Sequence, residues 1–347
     1  MEIADGRGNS LSESLCHGAF AHAVGTHDNN ETASRSHATM FTHATDRAYS
    51  NPHGYEAGPL HPPRILLMLP NFFLVGTTKG GTSSLDAWLR GHPDVATPER
   101  KEMHFFCKCP NPDLRVADTR EEYLAAFPSG KAVGESSPCY LYYPDIPDEL
   151  AAFPHARLIV SLRDPVERFW SHYLMNEIYR PRNLAPARLL AENLDSGRTN
   201  AIEDLYGMGL YGEQVERYLR RFDRERILVL FLEETSVDPN AAMDRIQSFL
   251  GLERIPLDTS ARQKQHVEPK GAAGRVIHRN PTMRALGNRF LSSSARRVLK
   301  TRVLGDPSTK PAIPSEVAGQ LRELYSPDAR LLEELIERAL PWGWHRP

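Results

Sequence analysis

Apolar residues in this chain fall into short unbroken runs separated by longer amphipathic stretches. Phe72-Phe73-Leu74-Val75 is continuous, as expected for a strand buried on both faces. Two similar runs follow at residues 157–162 and 227–231, and a shorter one at 132–135. Between them the apolar positions recur at helical spacing. Leu85, Trp88 and Leu89 share one helical face, and Gly91 and Pro93 end that pattern. Further helical patterns cover 121–127, 166–179, 211–222, 239–250 and 329–340. Strands alternating with helices predict an α/β fold with a central, mostly parallel sheet flanked by helices.

Residues 1–63 have no such periodicity. Seven of the 14 histidines lie there, at irregular spacing, among Asn, Ser, Thr, Gly and Ala. This reads as a disordered leader, with the folded domain running from 64 to 347. Met68 stands just before the first strand as an alternative start, which the intact mass of the native protein would decide.

Composition narrows the functional classes. A net charge of −2 argues against broad nucleic-acid or anionic-membrane binding, which needs a basic surplus. The longest apolar stretch, 65–75, is broken by Pro70 and Asn71 and is too short to span a bilayer. The four cysteines (Cys16, Cys107, Cys109 and Cys139) do not form a disulfide framework. Cys107 and Cys109 lack a second pair and a histidine at metal-ligand spacing, so reduced thiols and no metal site are expected. These features together predict a cytoplasmic protein.

The chemistry concentrates in two strand–turn–helix segments. The first is Gly76-Thr77-Thr78-Lys79-Gly80-Gly81-Thr82-Ser83-Ser84-Leu85. Its glycines let backbone N–H groups converge on an anion at a helix N-terminus. Lys79 adds a positive charge, and Thr82, Ser83 and Ser84 add hydroxyl donors. An ATP-binding P-loop places Lys after its last Gly with a hydroxyl directly behind; here Lys79 precedes Gly80 and Gly81. The second segment is Arg163-Asp164-Pro165-Val166-Glu167-Arg168-Phe169-Trp170-Ser171-His172-Tyr173. Asp164 suits an N-cap, Pro165 the first helical position and Glu167 a capping box. Arg163 ends a strand, and ligands of open α/β sheets bind at the carboxyl ends of strands.

Both segments resemble those of sulfotransferases that use 3′-phosphoadenosine 5′-phosphosulfate (PAPS). The first is similar to the family's 5′-phosphosulfate loop, G-x-x-K-[GAST]-G-T-[ST]-[ST]-L. The second is similar to its 3′-phosphate site, R-[DN]-P-x-x-R-x-x-S-x-[YWH]. His92-Pro93-Asp94-Val95, Lys101-Glu102-Met103-His104-Phe105-Phe106 and Gly134-Glu135-Ser136-Ser137-Pro138-Cys139-Tyr140 resemble further family segments, and the ending from Leu324 through Trp342 resembles its closing helix. The likeness covers roughly 70–345 and is greatest to the bacterial carbohydrate and heparan sulfate branch.

The resemblance implies a P-loop-NTPase-like three-layer fold and sulfuryl transfer from PAPS to a hydroxyl or amine of a small-molecule or carbohydrate acceptor. It implies donor binding by Lys79, Gly80, Gly81, Thr82, Ser83, Ser84, Arg163 and Ser171, with Lys270 as a candidate from a late basic loop. Lys79 would stabilise the leaving group. Glu102 is the leading base and His104 its competitor. Arg168 is expected to be structural, Phe169 and Trp170 to belong to the core, and Glu135 either to orient the acceptor or to be structural. Glycan-modifying relatives often carry a basic residue where this chain has Ser136, which argues against a strongly anionic polysaccharide. Acceptor determinants are expected between Cys107 and Tyr123 and between Asn176 and Tyr211. No metal is required. The competing readings are a Mg²⁺-dependent P-loop kinase and a non-catalytic nucleotide-binding module.

Overall fold

Phe72, Phe73, Leu74 and Val75 are all fully buried. Strand side chains alternate between faces, so a strand buried at every position needs a layer on each side. A computed structural model of the chain, which describes residues 69–107, 116–197, 199–260 and 310–346, has that arrangement. Five parallel strands, β1 (Phe72–Gly76), β2 (Val95–Ala96), β3 (Ala132–Ser136), β4 (Arg157–Leu162) and β5 (Ile227–Phe231), lie in the order β2-β3-β1-β4-β5. The leader expected at 1–63 and Lys270 lie outside the described residues.

The two sheet faces carry separate cores. Phe72, Leu74, Ile159 and Leu230 pack against Leu85, Trp88 and Leu89 of α1 (Thr82–Leu89). On the opposite face, Phe73, Val75, Leu158 and Val160 pack with Tyr123 of α2 (Arg120–Ala125) and with Ile146 and Leu150 of α3 (Ile146–Ala151). Val166 and Phe169 of α4 (Pro165–Tyr179) join Leu189 and Leu190 of α5 (Pro186–Ser196) in a third buried cluster.

Four more α-helices follow among the described residues: α6 (Tyr211–Leu219), α7 (Leu232–Val237), α8 (Pro239–Phe249) and α9 (Ser315–Ile336). Among the described residues, no helix is long and apolar enough to cross a membrane. The last helix corrects the sequence reading, which started it at 329. It begins at Ser315 and carries Pro327 inside it. A proline ordinarily ends or kinks a helix. Here the next residue, Asp328, is held by tertiary contacts: its carboxylate accepts from the Gly212 and Glu213 backbone N–H groups at 2.8 and 2.9 Å. It thereby satisfies donors at the start of α6 that have no intrahelical partner.

The strand order puts a crevice beside β1. The chain leaves β1 for β2 and β3 on one side and reaches β4 and β5 on the other. Such a reversal opens a cleft at the strands' carboxyl ends, where open α/β sheets bind ligands.

Candidate active site

The turn after β1 is pressed onto the neighbouring strand. Thr77 N–H donates to the Ser161 carbonyl at 2.6 Å, and Ser161 Oγ donates to the Gly80 carbonyl at 2.6 Å. A Cβ on Gly80 would stand 2.4 Å from the Ser161 carbonyl oxygen, so only glycine permits this approach. Gly81 caps α1 with φ of 89° and no side-chain cap. The first turn of α1 therefore keeps its backbone donors and positive dipole end for an anion.

The turn after β4 lies beside it. Asp164 caps α4, accepting from the Val166 and Glu167 N–H groups at 2.8 and 3.4 Å, with Pro165 in the first turn. The expected capping box does not form. Glu167 instead pairs with Arg163 at 3.2 Å and Lys310 at 2.5 Å, while Asp164 N–H donates to Glu233 at 2.8 Å. Partial burial opposes the Glu167 charge, but Lys310 and Arg163 outweigh it and hold the carboxyl below its usual range. Trp344 Nε1 donates to the other Asp164 oxygen at 2.9 Å and braces the turn from the C-terminal segment.

The third contribution comes from residues 101–107, which cross the carboxyl end of β3. Glu102 N–H donates to the Ser136 carbonyl, His104 N–H to Ser137 Oγ and Phe106 N–H to the Tyr140 hydroxyl. Glu135 lies beneath them. Its fully buried carboxylate accepts from Tyr123, Ser137 and Tyr140 at 2.7, 2.6 and 2.9 Å, and burial raises its pKa. Of the two roles open to Glu135, these contacts give the structural one. Ser136 donates to Asp86 of α1 at 2.6 Å and is buried between sheet and helix.

These segments enclose a cleft of about 370 Å³. Lys79, Gly80, Gly81, Thr82, Ser83, Ser84, Glu102, Arg163 and Ser171 all line it. Ser161, Met175 and Thr235 line it too and were not singled out from the sequence. Ser161 left a signal, as the one hydroxyl residue in an otherwise apolar strand end. Lys79 Nζ lies 3.8 Å from Met175 Sδ. Lys79, Glu102 and His104 all have positive φ, at 74°, 65° and 52°. Non-glycine residues held there cost about 1–3 kcal/mol each, and such strain clusters at functional sites.

His104 does not line the cleft among the described residues. Its Nε2 faces Glu102 Oε2 at 3.4 Å, and Lys101 holds the other Glu102 oxygen at 2.9 Å. Its Nδ1 faces Cys139 Sγ at 3.2 Å and Cys107 Sγ at 3.5 Å. Burial favours the neutral imidazole, but hydrogen bonds to Cys107 and Glu102 overcome it and raise the pKa to about 9. A hydrogen bond from Cys139 lowers the Cys107 thiol to about 5 against its burial, with His104 assisting. The fold thus corrects the expectation that Cys107 lacks a second thiol partner and a histidine at metal-ligand spacing: His104 supplies the histidine, and Cys139, far away in sequence, the second sulfur.

Arg168 is fully buried, bonded to His172 at 3.1 Å and to the Leu205 carbonyl, as expected of a structural residue. Phe169 and Trp170 are buried in turn. The acceptor determinants expected between Asn176 and Tyr211 are not among the residues lining the cleft, and 108–115 lie outside the described residues.

Comparison with known proteins agrees with this geometry. The sequence model of the sulfotransferase domain matches residues 69–268, more than half of the 347-residue chain. Heparan sulfate glucosamine 3-O-sulfotransferase 3B1 of Mus musculus is 30% identical over 278 residues, covering 79% of this chain and 65% of the relative. Heparan sulfate glucosamine 3-O-sulfotransferase 6 of Homo sapiens is 28% identical over 280 residues, covering 79% and 74%. The chain thus spans about two-thirds of the length of such relatives. The crystal structure of a sulfotransferase from Alicyclobacillus acidocaldarius superimposes with a TM-score of 0.60 at 27% identity, covering 80% of this chain and 99% of that one.

Proposed function

The chain belongs to the sulfotransferase domain family, and from that premise we propose that it transfers a sulfuryl group from PAPS to a carbohydrate hydroxyl or amine. The observation that carries this reading is one cleft lined by two separate strand–helix turns, bearing Lys79 and Arg163, and by the Glu102 carboxylate. Its volume of about 370 Å³ falls in the range of small-molecule sites.

The residues present fit a donor with two anionic ends. The turn from Lys79 to Ser84 and the start of α1 suit the 5′-phosphosulfate. Arg163 and Ser171 suit the 3′-phosphate. The donor supplies the activated sulfur–oxygen bond. Glu102 takes the acceptor proton as the acceptor oxygen or nitrogen bonds to sulfur. Lys79 stabilises the charge left on the bridging oxygen as the bond to the 5′-phosphate breaks. Adenosine 3′,5′-bisphosphate leaves.

Glycan-modifying relatives often carry a basic residue where this chain has Ser136, and on that resemblance the acceptor has few negative charges. The test is a transfer assay with PAPS, metal-chelated buffer and saccharides of graded sulfation. Adenosine 3′,5′-bisphosphate release matched by acceptor sulfation, fastest with the least sulfated saccharide, is the expected result. Phosphoryl transfer from ATP that needs Mg²⁺ would overturn the reading in favour of a kinase.

A further inference from the structure

Behind Glu102, three side chains with soft or borderline donor atoms converge. His104 Nδ1, Cys107 Sγ and Cys139 Sγ all lie within 4.8 Å of one another. Cys107 and Cys139 are buried, and the His104 side chain is 13% exposed. The two N···S separations are 3.2 and 3.5 Å. A tetrahedral zinc site with Zn–S of about 2.3 Å and Zn–N of about 2.0–2.1 Å has N···S edges of roughly 3.6 Å. The ligand atoms therefore stand close to the spacing a zinc ion needs.

The backbone holds them there. His104 N–H is bonded to Ser137 Oγ and Phe106 N–H to the Tyr140 hydroxyl, and both hydroxyls are anchored on buried Glu135. Zinc is matched by two thiolates and one imidazole, which leave one of its four positions for solvent.

We propose that His104, Cys107 and Cys139 form a binding site for a thiophilic divalent cation of the zinc type. Cys107 and Cys139 bind as thiolates and His104 as the neutral imidazole, the protons that these forms give up pass to solvent, no electrons are exchanged, and the two thiolates neutralise the ion. With Nδ1 on the metal, the imidazole carries its hydrogen on Nε2, which faces Glu102. A carboxylate on the far nitrogen of a metal-bound histidine is a recurrent outer-shell arrangement. The site sits next to the cleft and acts on it through the orientation of Glu102.

The test uses the full chain, reduced anaerobically, stripped with a chelator and titrated with Co²⁺ and then Zn²⁺. One equivalent of Co²⁺ is expected to give thiolate-to-metal charge transfer and the d–d bands of a tetrahedral site, displaced by one equivalent of Zn²⁺. Cys107→Ser and Cys139→Ser should each roughly halve the charge-transfer intensity per bound Co²⁺ and weaken Zn²⁺ binding by at least about 100-fold, beyond the loss typical of an outer-shell partner, and the double substitution should abolish the charge transfer. Co²⁺ binding without charge transfer, as the leader histidines would give, overturns the proposal. So does charge transfer that survives both substitutions. The wild-type titration does not depend on the variants folding, and none of these signals depends on sulfuryl transfer.

Discussion

Glu102→Gln is expected to lower kcat by about 10²–10⁴-fold, the range for losing a general base, with little change in KM for PAPS. The amide keeps the size of the carboxylate and still accepts from Lys101, so the segment across β3 should keep its course. It cannot take the acceptor proton. The competing base is His104, which does not line the cleft and whose ring points at Glu102 and the two sulfurs. His104 is thus a positioning residue, and His104→Asn should cost less in kcat than Glu102→Gln. Steady-state kinetics of both variants at saturating PAPS decide the matter. Equal or reversed losses would make His104 the base.

Lys79→Ala is expected to lower kcat by about 10²–10³-fold, the range for removing one preorganised donor from a developing oxyanion. Lys79 sits at φ of 74° on the turn after β1, with Nζ against Met175 Sδ. Its charge helps keep buried His172 neutral, after burial itself and together with Arg168. Because the role of Lys79 grows as the sulfur–oxygen bond breaks, kcat should fall more than affinity for adenosine 3′,5′-bisphosphate. Single-turnover rates beside product-binding constants measure this split. A loss confined to binding would assign Lys79 to the ground state alone.

Much of the site was legible because its parts are local. Each of the two turns follows a strand and opens a helix, so Lys79 through Ser84 and Arg163 through Ser171 could be placed at one sheet edge from periodicity and caps. The same holds for β4 and β5, whose bounds match the apolar runs. What escaped was tertiary. Glu167 has the spacing of a capping-box acid, but Arg163 and Lys310, 143 residues on, outcompete the backbone for it. Pro327 reads as a helix boundary, but packing carries α9 through it. Cys139 has no local signal of a partner, and the pairing of β2 with β3, continued by the Glu102 N–H bond to the Ser136 carbonyl, brings its turn beside His104 and Cys107.

A cleft that grips both anionic ends of the donor must distinguish adenosine 3′,5′-bisphosphate from nucleotides without a 3′-phosphate. The most direct test is calorimetric titration with adenosine 3′,5′-bisphosphate, AMP and ATP in the absence of Mg²⁺. Micromolar binding of the bisphosphate and much weaker binding of AMP are expected. Arg163→Ala should weaken the bisphosphate roughly 10- to 150-fold, the equivalent of about 1.5–3 kcal/mol for hydrogen bonds to a charged group, and leave AMP unchanged. Equal affinity for AMP and the bisphosphate, or binding of ATP alone once Mg²⁺ is added, would contradict a grip on both ends.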